Sequence, residues 1–368
     1  MLKLSKPNLP EPGIQAVVEV LRSGDLVAGN NVNAFEQALA DFLEVPYAFL
    51  VSSGTAALHL SLLAIGLEVG DEVIVPGFTF PATANAVKLC GAEVIFADVD
   101  SSYCLTVDSI KECVAGRDTS KIKGIVVVHE FGHMADMAGL GDFAAEMGWW
   151  IIEDAACALG AESPAGKAGT VGSLGCYSFH PRKTLTTGEG GLVVCKDSAL
   201  ANKVALLRSH GIQRTKHGID FLIAGFNYRM TDFQAALGLH QLQLLPDWIR
   251  TRRHLASVYS ELLKELHGVT VPVGLPGHSW QTYMIVLDQR FDRDQVIANM
   301  LAQGFQTNLG AQALPSLSVF KTQSGERCCP VATNLYRQGL ALPFCEQYSE
   351  QDLQRVCRAL ENCLREAH

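Results

Sequence analysis

The chain has 368 residues, 48% hydrophobic and 18% charged, which suffices for a large core and excludes a disordered, collagen-like or coiled-coil protein. Its net charge is −9 and its Lys/Arg residues form no run beyond local pairs, so neither nucleic acid nor an anionic membrane is an expected partner. No window approaches the ~20 apolar residues of a membrane helix. The first residues lack a secretory signal and the eleven cysteines are scattered, so we expect reduced thiols in a cytoplasmic protein.

Short apolar runs alternate with helical patterns between about residue 45 and residue 196. The predicted strands are 47–52, 72–75, 93–97, 124–128, 149–152 and 172–179, and the predicted helices are 55–65, 82–89 and 140–147. This alternation is typical of an α/β fold with a mostly parallel sheet flanked by helices. Ligands of such sheets bind at the carboxyl ends of the strands.

The pattern becomes mainly helical after about residue 197. Predicted helices cover 198–208, 232–245, 248–266, 293–303 and 349–365, with one predicted strand at 279–288. We therefore predict a large domain over residues 1–246 and a smaller C-terminal α+β domain over residues 247–368. No Gly/Ser linker marks the boundary between them.

Residues 129–133 read HEFGH, which matches the H-E-x-x-H signature of zinc peptidases. That signature works on a helix, where both imidazoles share one face and the glutamate acts as general base. Here the motif directly follows a β-branched run and contains Gly132, so the context favours a strand end entering a loop. We predict no metal site and keep the zinc peptidase as a remote alternative.

Three separated features suggest another kind of site. Residues 52–57 read SSGTAA between a predicted strand and helix, where small residues, helical N–H groups and the Thr55 hydroxyl could hold an anion. Asp154 follows a buried strand. Lys183 lies between a β-like run and a Gly-rich turn, and a lysine in a confined site can lose its proton and attack a carbonyl. An anion cradle, a carboxylate and a lysine are what pyridoxal 5'-phosphate (PLP) requires.

The order of these motifs resembles the DegT/StrS-type sugar aminotransferases, which are PLP enzymes of the aspartate aminotransferase fold, PLP-dependent transferase fold type I. The resemblance rests on SSGTAAL, PGFTF, ADVD, EDAA, SFHPRK, TTGEGG and GFNYRMTDFQAALGL. It runs from about residue 24 to residue 243 and continues more weakly to the C-terminus.

The resemblance implies a role for individual residues. Lys183 matches the Schiff-base lysine, which also moves protons as general acid and base. Asp154 matches the carboxylate paired with the pyridinium nitrogen. The phosphate contacts correspond to Gly54, Thr55, Ala56 and Ser178.

Four further positions follow from the same resemblance. Phe80 matches the aromatic residue that stacks on the cofactor ring, and a core phenylalanine is the competing interpretation. Asn227 matches an asparagine that the neighbouring subunit lends to the phosphate, which implies a homodimer with shared active sites. His180 could line the substrate pocket or pack as an ordinary histidine. Cys157 stands where the family usually has Gln or His near the cofactor's phenolic oxygen, and a thiol is a weaker hydrogen-bond partner.

The expected activity is transfer of an amino group, with glutamate as the donor, to a nucleotide-linked keto-sugar for amino sugar biosynthesis. A keto-cyclitol acceptor and a regulator that binds PLP without turnover remain alternatives. In the family's sugar dehydratases a histidine replaces the lysine, so Lys183 argues against that reaction.

Overall fold

The computed structural model describes residues 1–216, 218–320 and 328–366 and is built around a seven-stranded sheet. In spatial order the strands are β1 (Tyr47–Val51), β10 (Gly191–Cys195), β9 (Leu174–Ser178), β6 (Trp150–Asp154), β5 (Ile122–Val128), β2 (Glu72–Pro76) and β4 (Glu93–Ala97). Strand β10 is antiparallel to both of its neighbours, and the other pairs are parallel. The predicted α/β class with a mostly parallel sheet is confirmed.

Both faces of the sheet are buried, which explains why its strands read as continuous apolar runs. Side chains of a strand alternate between the two faces. In β5, Ile125 and Val127 belong to one hydrophobic core, whereas Val126 belongs to the other. A parallel strand buried on both sides therefore has apolar residues at consecutive positions, as residues 125–128 of β5 do.

Helices cover the two faces of the sheet. Their bounds are α1 (Glu11–Ser23), α2 (Asn30–Leu43), α3 (Gly54–Ile65), α4 (Ala82–Leu89), α5 (Val107–Val114), α6 (Met137–Met147), α7 (Ser198–Arg208) and α8 (Asp232–Leu242). The bounds of α4 and α7 are as predicted, whereas α1, α2 and α5 were not foreseen. None of the helices in the described part of the chain has the length and hydropathy needed to cross a membrane.

The C-terminal part forms a third hydrophobic core around α9 (Leu245–Leu263). Its other elements are β13 (Val269–Thr270), β14 (Met284–Leu287), α10 (Arg293–Ala302), α11 (Pro330–Gln338), β16 (Gly339–Ala341) and α12 (Glu350–Glu366). The N-terminus joins this part, because the Phe344 N–H donates to the Leu4 carbonyl at 2.8 Å. The predicted division after residue 246 falls inside α9, and we retain the two domains as a prediction.

Several short elements complete the chain. Strand β3 (Phe78–Thr79) pairs with β15 (Gln312–Ala313), and β7 (Glu162–Ser163) pairs with β8 (Gly166–Lys167). A hairpin of β11 (Ile212–Thr215) and β12 (Gly218–Phe221) exposes all of the β12 residues. All eleven cysteines carry reduced thiols.

Candidate active site

A cavity of about 470 Å³ lies at the carboxyl ends of the parallel strands, the edge at which the sequence predicts ligand binding. Strands β6 and β9 contribute their last residues, Asp154 and Ser178, to its wall. The N-terminus of α3 faces the same space. The wall is closed by the C-terminal part, through residues such as Gln281 and Leu342. The cavity therefore collects residues from the whole length of the chain.

Lys183 reaches into this cavity from the turn after β9. Its backbone N–H donates to the His180 carbonyl at 2.8 Å, which fixes the turn, and its Nζ lies 2.9 Å from the Cys157 Sγ. Burial lowers the pKa of Lys183, but Cys157, Asp154 and Glu130 raise it further, so the pKa lies above its usual value. Burial by itself would lower the pKa of this amine, and in the polypeptide the acidic groups around Lys183 outweigh that effect.

Asp154 ends β6 with its carboxylate on the cavity wall and only 5% of the residue exposed. The Thr83 hydroxyl donates to Oδ2 at 2.8 Å, and the Ala156 N–H donates to Oδ1 at 3.1 Å. Burial raises the pKa of Asp154 in spite of these hydrogen bonds and of the nearby Lys183 ammonium. A buried carboxylate of this kind gains from a cationic partner in the cavity.

The predicted anion cradle forms where β1 turns into α3. The Ser53 side chain caps the helix by accepting the Ala56 N–H at 3.1 Å, and Gly54 and Thr55 line the cavity opposite Ser178. A Cβ atom at Gly54 would lie 2.9 Å from the Ser178 Cβ, so only glycine permits this approach. Ala56 itself is buried within α3 and its N–H bonds the Ser53 side chain, so the structure places it beside the cradle, and its contact with a phosphate stays a prediction.

The remaining predicted residues divide into those on the wall of the cavity and one outside it. Phe80 lies at the wall with 70% of its surface exposed, so the alternative of a core phenylalanine is wrong. His180 also lines the cavity, and burial lowers its pKa. Cys157 contacts Lys183, as described above. Asn227 is exposed and pairs by a β-bridge with Ser209, away from the cavity wall of its own chain.

The HEFGH motif has a structural task. Residues Glu130–Gly132 form a single 3₁₀ turn after β5, so the two histidines do not share a helix face. The Ala135 N–H donates to His129 Nδ1 at 3.2 Å, which leaves the proton on Nε2 to bond Glu153 Oε2 at 2.7 Å. Glu153 also accepts three backbone N–H groups. Within residues 1–216, 218–320 and 328–366, no three His, Cys, Asp or Glu side chains are grouped to hold a metal.

Three residues of the site were missed by sequence reasoning. Thr83 and Gln281 carry no local signal, because each contacts the site from a distant element. Glu130 belongs to the HEFGH motif but faces the cavity, with 5% of the residue exposed. Burial raises the pKa of Glu130 to about 7, opposed by the Thr79 side chain and by Lys183.

The residues present fit PLP. The helix terminus beside Gly54 suits a phosphate, Asp154 is a buried carboxylate suited to a protonated ring nitrogen, and Lys183 offers the amine. The arrangement of sheet and site is that of a PLP-dependent enzyme of fold type I.

The chain belongs to the DegT/DnrJ/EryC1/StrS aminotransferase family, whose model matches residues 8–361. It is 36% identical over 342 residues to the GDP-perosamine synthase of Caulobacter vibrioides, which covers 91% of each chain. The aminotransferase TlmJ from Streptoalloteichus hindustanus superimposes over 100% of both chains with a TM-score of 0.93 and 30% identity. The PLP form of the putative sugar aminotransferase Spr1654 from Streptococcus pneumoniae shares the fold, with a TM-score of 0.91 and 23% identity over 99% of this chain and 98% of that one. Enzymes of this family depend on PLP, and the chain is a PLP-dependent sugar aminotransferase.

Proposed function

We propose that the enzyme transfers an amino group from glutamate to the ketone of a nucleotide-linked keto-sugar in the cytoplasm. The observation that carries this proposal is that Lys183 and the buried Asp154 lie on the wall of one cavity with the anion cradle. The relative named GDP-perosamine synthase supports a nucleotide-linked acceptor, because its product name contains a nucleotide sugar.

Bound PLP supplies an aldehyde that accepts amines and a ring that stabilises negative charge on the carbon from which a proton is lost. The chain must therefore hold a phosphate, a ring cation and a mobile proton in fixed relation. Ser178, Gly54 and Thr55 bind the phosphate by hydrogen bonds at the helix terminus. Asp154 holds the proton on the ring nitrogen, and Thr83 orients its carboxylate.

Lys183 is the proposed general acid and base. Its Nζ accepts the proton that leaves the reacting carbon and delivers it to the adjacent position, and in the reverse direction it returns the proton. A flexible amine at the cavity wall can do this without a large movement of the backbone. Cys157 and Glu130 are the nearby groups that influence its pKa, together with Asp154. Phe80, exposed at the rim, is placed to cover a planar ring once one is bound.

We expect the acceptor to bind beside His180 and Arg182, which both line the cavity. Among the described wall residues, the basic side chains are His180, Arg182 and Lys183. The Arg182 guanidinium suits an anionic group of the acceptor, such as a diphosphate or a carboxylate. His180 is the proposed contact to a sugar hydroxyl.

We further propose a homodimer in which Asn227 completes the phosphate site of the partner. Asn227 is exposed in its own chain, and the adjacent hairpin exposes the apolar residues Ile219 and Phe221. An isolated two-stranded hairpin is marginally stable in water, so a protein partner for this hairpin is expected.

The decisive experiment is a screen of acceptors. The enzyme is first converted to the pyridoxamine form with glutamate, and GDP-, UDP- and dTDP-linked keto-sugars and a keto-inositol are then added separately while the absorbance of the aldehyde form is followed. Return of that absorbance with a nucleotide-linked sugar supports the proposal. Return with the keto-inositol alone would replace it by the cyclitol alternative, and no conversion by glutamate would remove the proposed donor. The Lys183→Ala variant, which should stay folded and lose turnover by more than about 1000-fold, is the control.

A further inference from the structure

The side chain of Gln281 grips the backbone on both sides of Lys183. Its Oε1 accepts the Thr184 N–H at 2.9 Å and the Thr184 hydroxyl at 3.0 Å, while its Nε2 donates to the Arg182 carbonyl at 2.5 Å. Gln281 is itself 8% exposed and lines the cavity. One amide therefore uses its donor and its acceptor to hold the two neighbours of the lysine.

The backbone of Gln281 is held in turn by hydrogen bonds to Phe131 and Arg252. Its backbone N–H donates to the Phe131 carbonyl at 2.8 Å, and Phe131 has a left-handed φ of 55° that such a bond helps to maintain. The Arg252 guanidinium donates to the carbonyls of Trp280 at 3.1 Å and of Gln281 at 3.4 Å.

Arg252 has little freedom to move away from these carbonyls. It forms an ion pair with Glu346 at 2.8 Å, with 3% of each side chain exposed. Separating the two partners of a buried pair would leave each charge uncompensated, which is unfavourable, so the pair keeps Arg252 in place. The grip on Lys183 is therefore fixed from the C-terminal part of the chain, through buried polar contacts.

We propose that Gln281 is a positioning residue that aims the Lys183 amine at the cofactor aldehyde. This inference rests on the proposed role of Lys183. The lysine side chain has four rotatable bonds, and fixing the peptides on both sides of it limits where Nζ can be placed. Supporting hydrogen bonds of this kind are what keep a reactive group within the small tolerance that its chemistry allows.

The test is a double-mutant cycle on PLP affinity. PLP binding is measured by quenching of protein fluorescence in four proteins: wild type, Gln281→Met, Lys183→Ala and the double variant. Methionine keeps the size of the side chain and removes all three hydrogen bonds. We expect Gln281→Met to weaken PLP binding about tenfold when Lys183 is present, and by less than about twofold when Lys183 is absent. A merely structural role would weaken binding equally in both backgrounds, and that result would overturn the inference.

A matched control is Gln241 of α8, which contacts the same loop as Gln281 does. Gln241 is buried and brackets Thr186 in a similar way, accepting its N–H at 3.1 Å and donating to its carbonyl at 2.7 Å. Gln241→Met should lower thermal stability about as much as Gln281→Met does. Its effect on PLP affinity should be the same with Lys183 present and with Lys183 replaced by alanine. If its dependence on Lys183 matched that of Gln281→Met, the special role of Gln281 would be lost.

Two outcomes separate this inference from the proposed function. If Lys183→Ala alone leaves PLP affinity unchanged, the proposed role of the lysine fails and the inference fails with it. If that variant binds weakly but the cycle is additive, only the role of Gln281 is refuted. Should Gln281→Met not fold, Thr184→Val removes one of the three bonds, and a smaller effect in the same direction, again confined to the Lys183 background, is required.

Discussion

The Nζ atom of Lys183 lies 2.9 Å from the Sγ atom of Cys157, so the candidate catalytic amine rests against a thiol. The resemblance to the family places Gln or His at this position. Burial raises the pKa of Cys157, and the nearby Lys183 opposes this shift. A cysteine sulfur is a weaker hydrogen-bond partner than an amide or an imidazole, so it holds the lysine less firmly than Gln or His would.

Replacing Cys157 by alanine should lower the pKa of Lys183, because the Cys157 sulfur favours the ammonium form electrostatically and as a hydrogen-bond acceptor. The measurement is the rate of PLP recombination with the protein as a function of pH, which reports the fraction of free amine. We expect the profile to move to lower pH, with an increase in the rate at pH 7 of less than about tenfold.

The matched control is Cys357→Ala, which removes a buried thiol in the C-terminal core. That variant should leave the pH profile in place. An unchanged profile for Cys157→Ala would show that the contact with Lys183 has no influence on the amine.

Glu130 makes the stability of the protein depend on pH. Its pKa is raised from 4.5 to about 7, chiefly by burial, so folding takes up a proton between these two values. The stability contribution of this group is complete below pH 4.5 and is lost as the pH rises through about 7. Relative to Glu130→Gln, the free energy of unfolding of the wild type should therefore fall over that range, by up to about 3 kcal/mol.

Denaturant unfolding of both proteins at pH 5 and pH 8, without PLP, measures this difference. The exposed Glu93 offers a control, since Glu93→Gln should change stability by similar amounts at the two pH values. A constant difference between wild type and Glu130→Gln would mean that Glu130 is ionised in the folded protein at both pH values.

Replacing Asp154 by asparagine should separate activity from folding. The asparagine can still accept a hydrogen bond from the Thr83 hydroxyl. It also removes the cost of burying a charged carboxylate, which is the cause of the raised pKa of Asp154. We expect the melting temperature of the protein without PLP to stay equal or rise, while transamination falls by at least about 100-fold, because no anion remains to hold the ring proton. Parallel thermal melts and rate measurements check both parts. Retained turnover would exclude Asp154 as the partner of the ring nitrogen.

The shared active site can be tested by mixing two impaired variants. Asn227→Ala and Lys183→Ala are unfolded and refolded together at limiting PLP. If Asn227 serves the partner's site, each mixed dimer contains one site with both residues intact, and random assortment should restore about a quarter of wild-type activity. Mixing after separate refolding is the control. If co-refolding restores no activity, Asn227 acts within its own chain or has no role.

Local signals in the sequence were sufficient for the principal elements and the principal site residues. The alternation of buried runs and helices predicts the parallel sheet because periodicity and burial are properties of neighbouring residues. Asp154 and Lys183 were predicted as site residues because each lies at or after the carboxyl end of a strand, and those ends face the ligand edge. Strand β10 was missed because its short run carries no sign that it would be inserted antiparallel between β1 and β9.

The tertiary structure alone decided which groups surround those residues. Thr83 reaches Asp154 across 71 positions, and Gln281 reaches Thr184 across 97 positions. The tertiary structure also decides the surroundings of the HEFGH motif: His129 pairs with the buried Glu153, and Glu130 faces the cavity. Such contacts depend on how distant elements pack, and no local pattern records them. The sequence by itself determined the fold and the cofactor chemistry, whereas the pKa values and the hold on the lysine depend on side chains that only folding brings together.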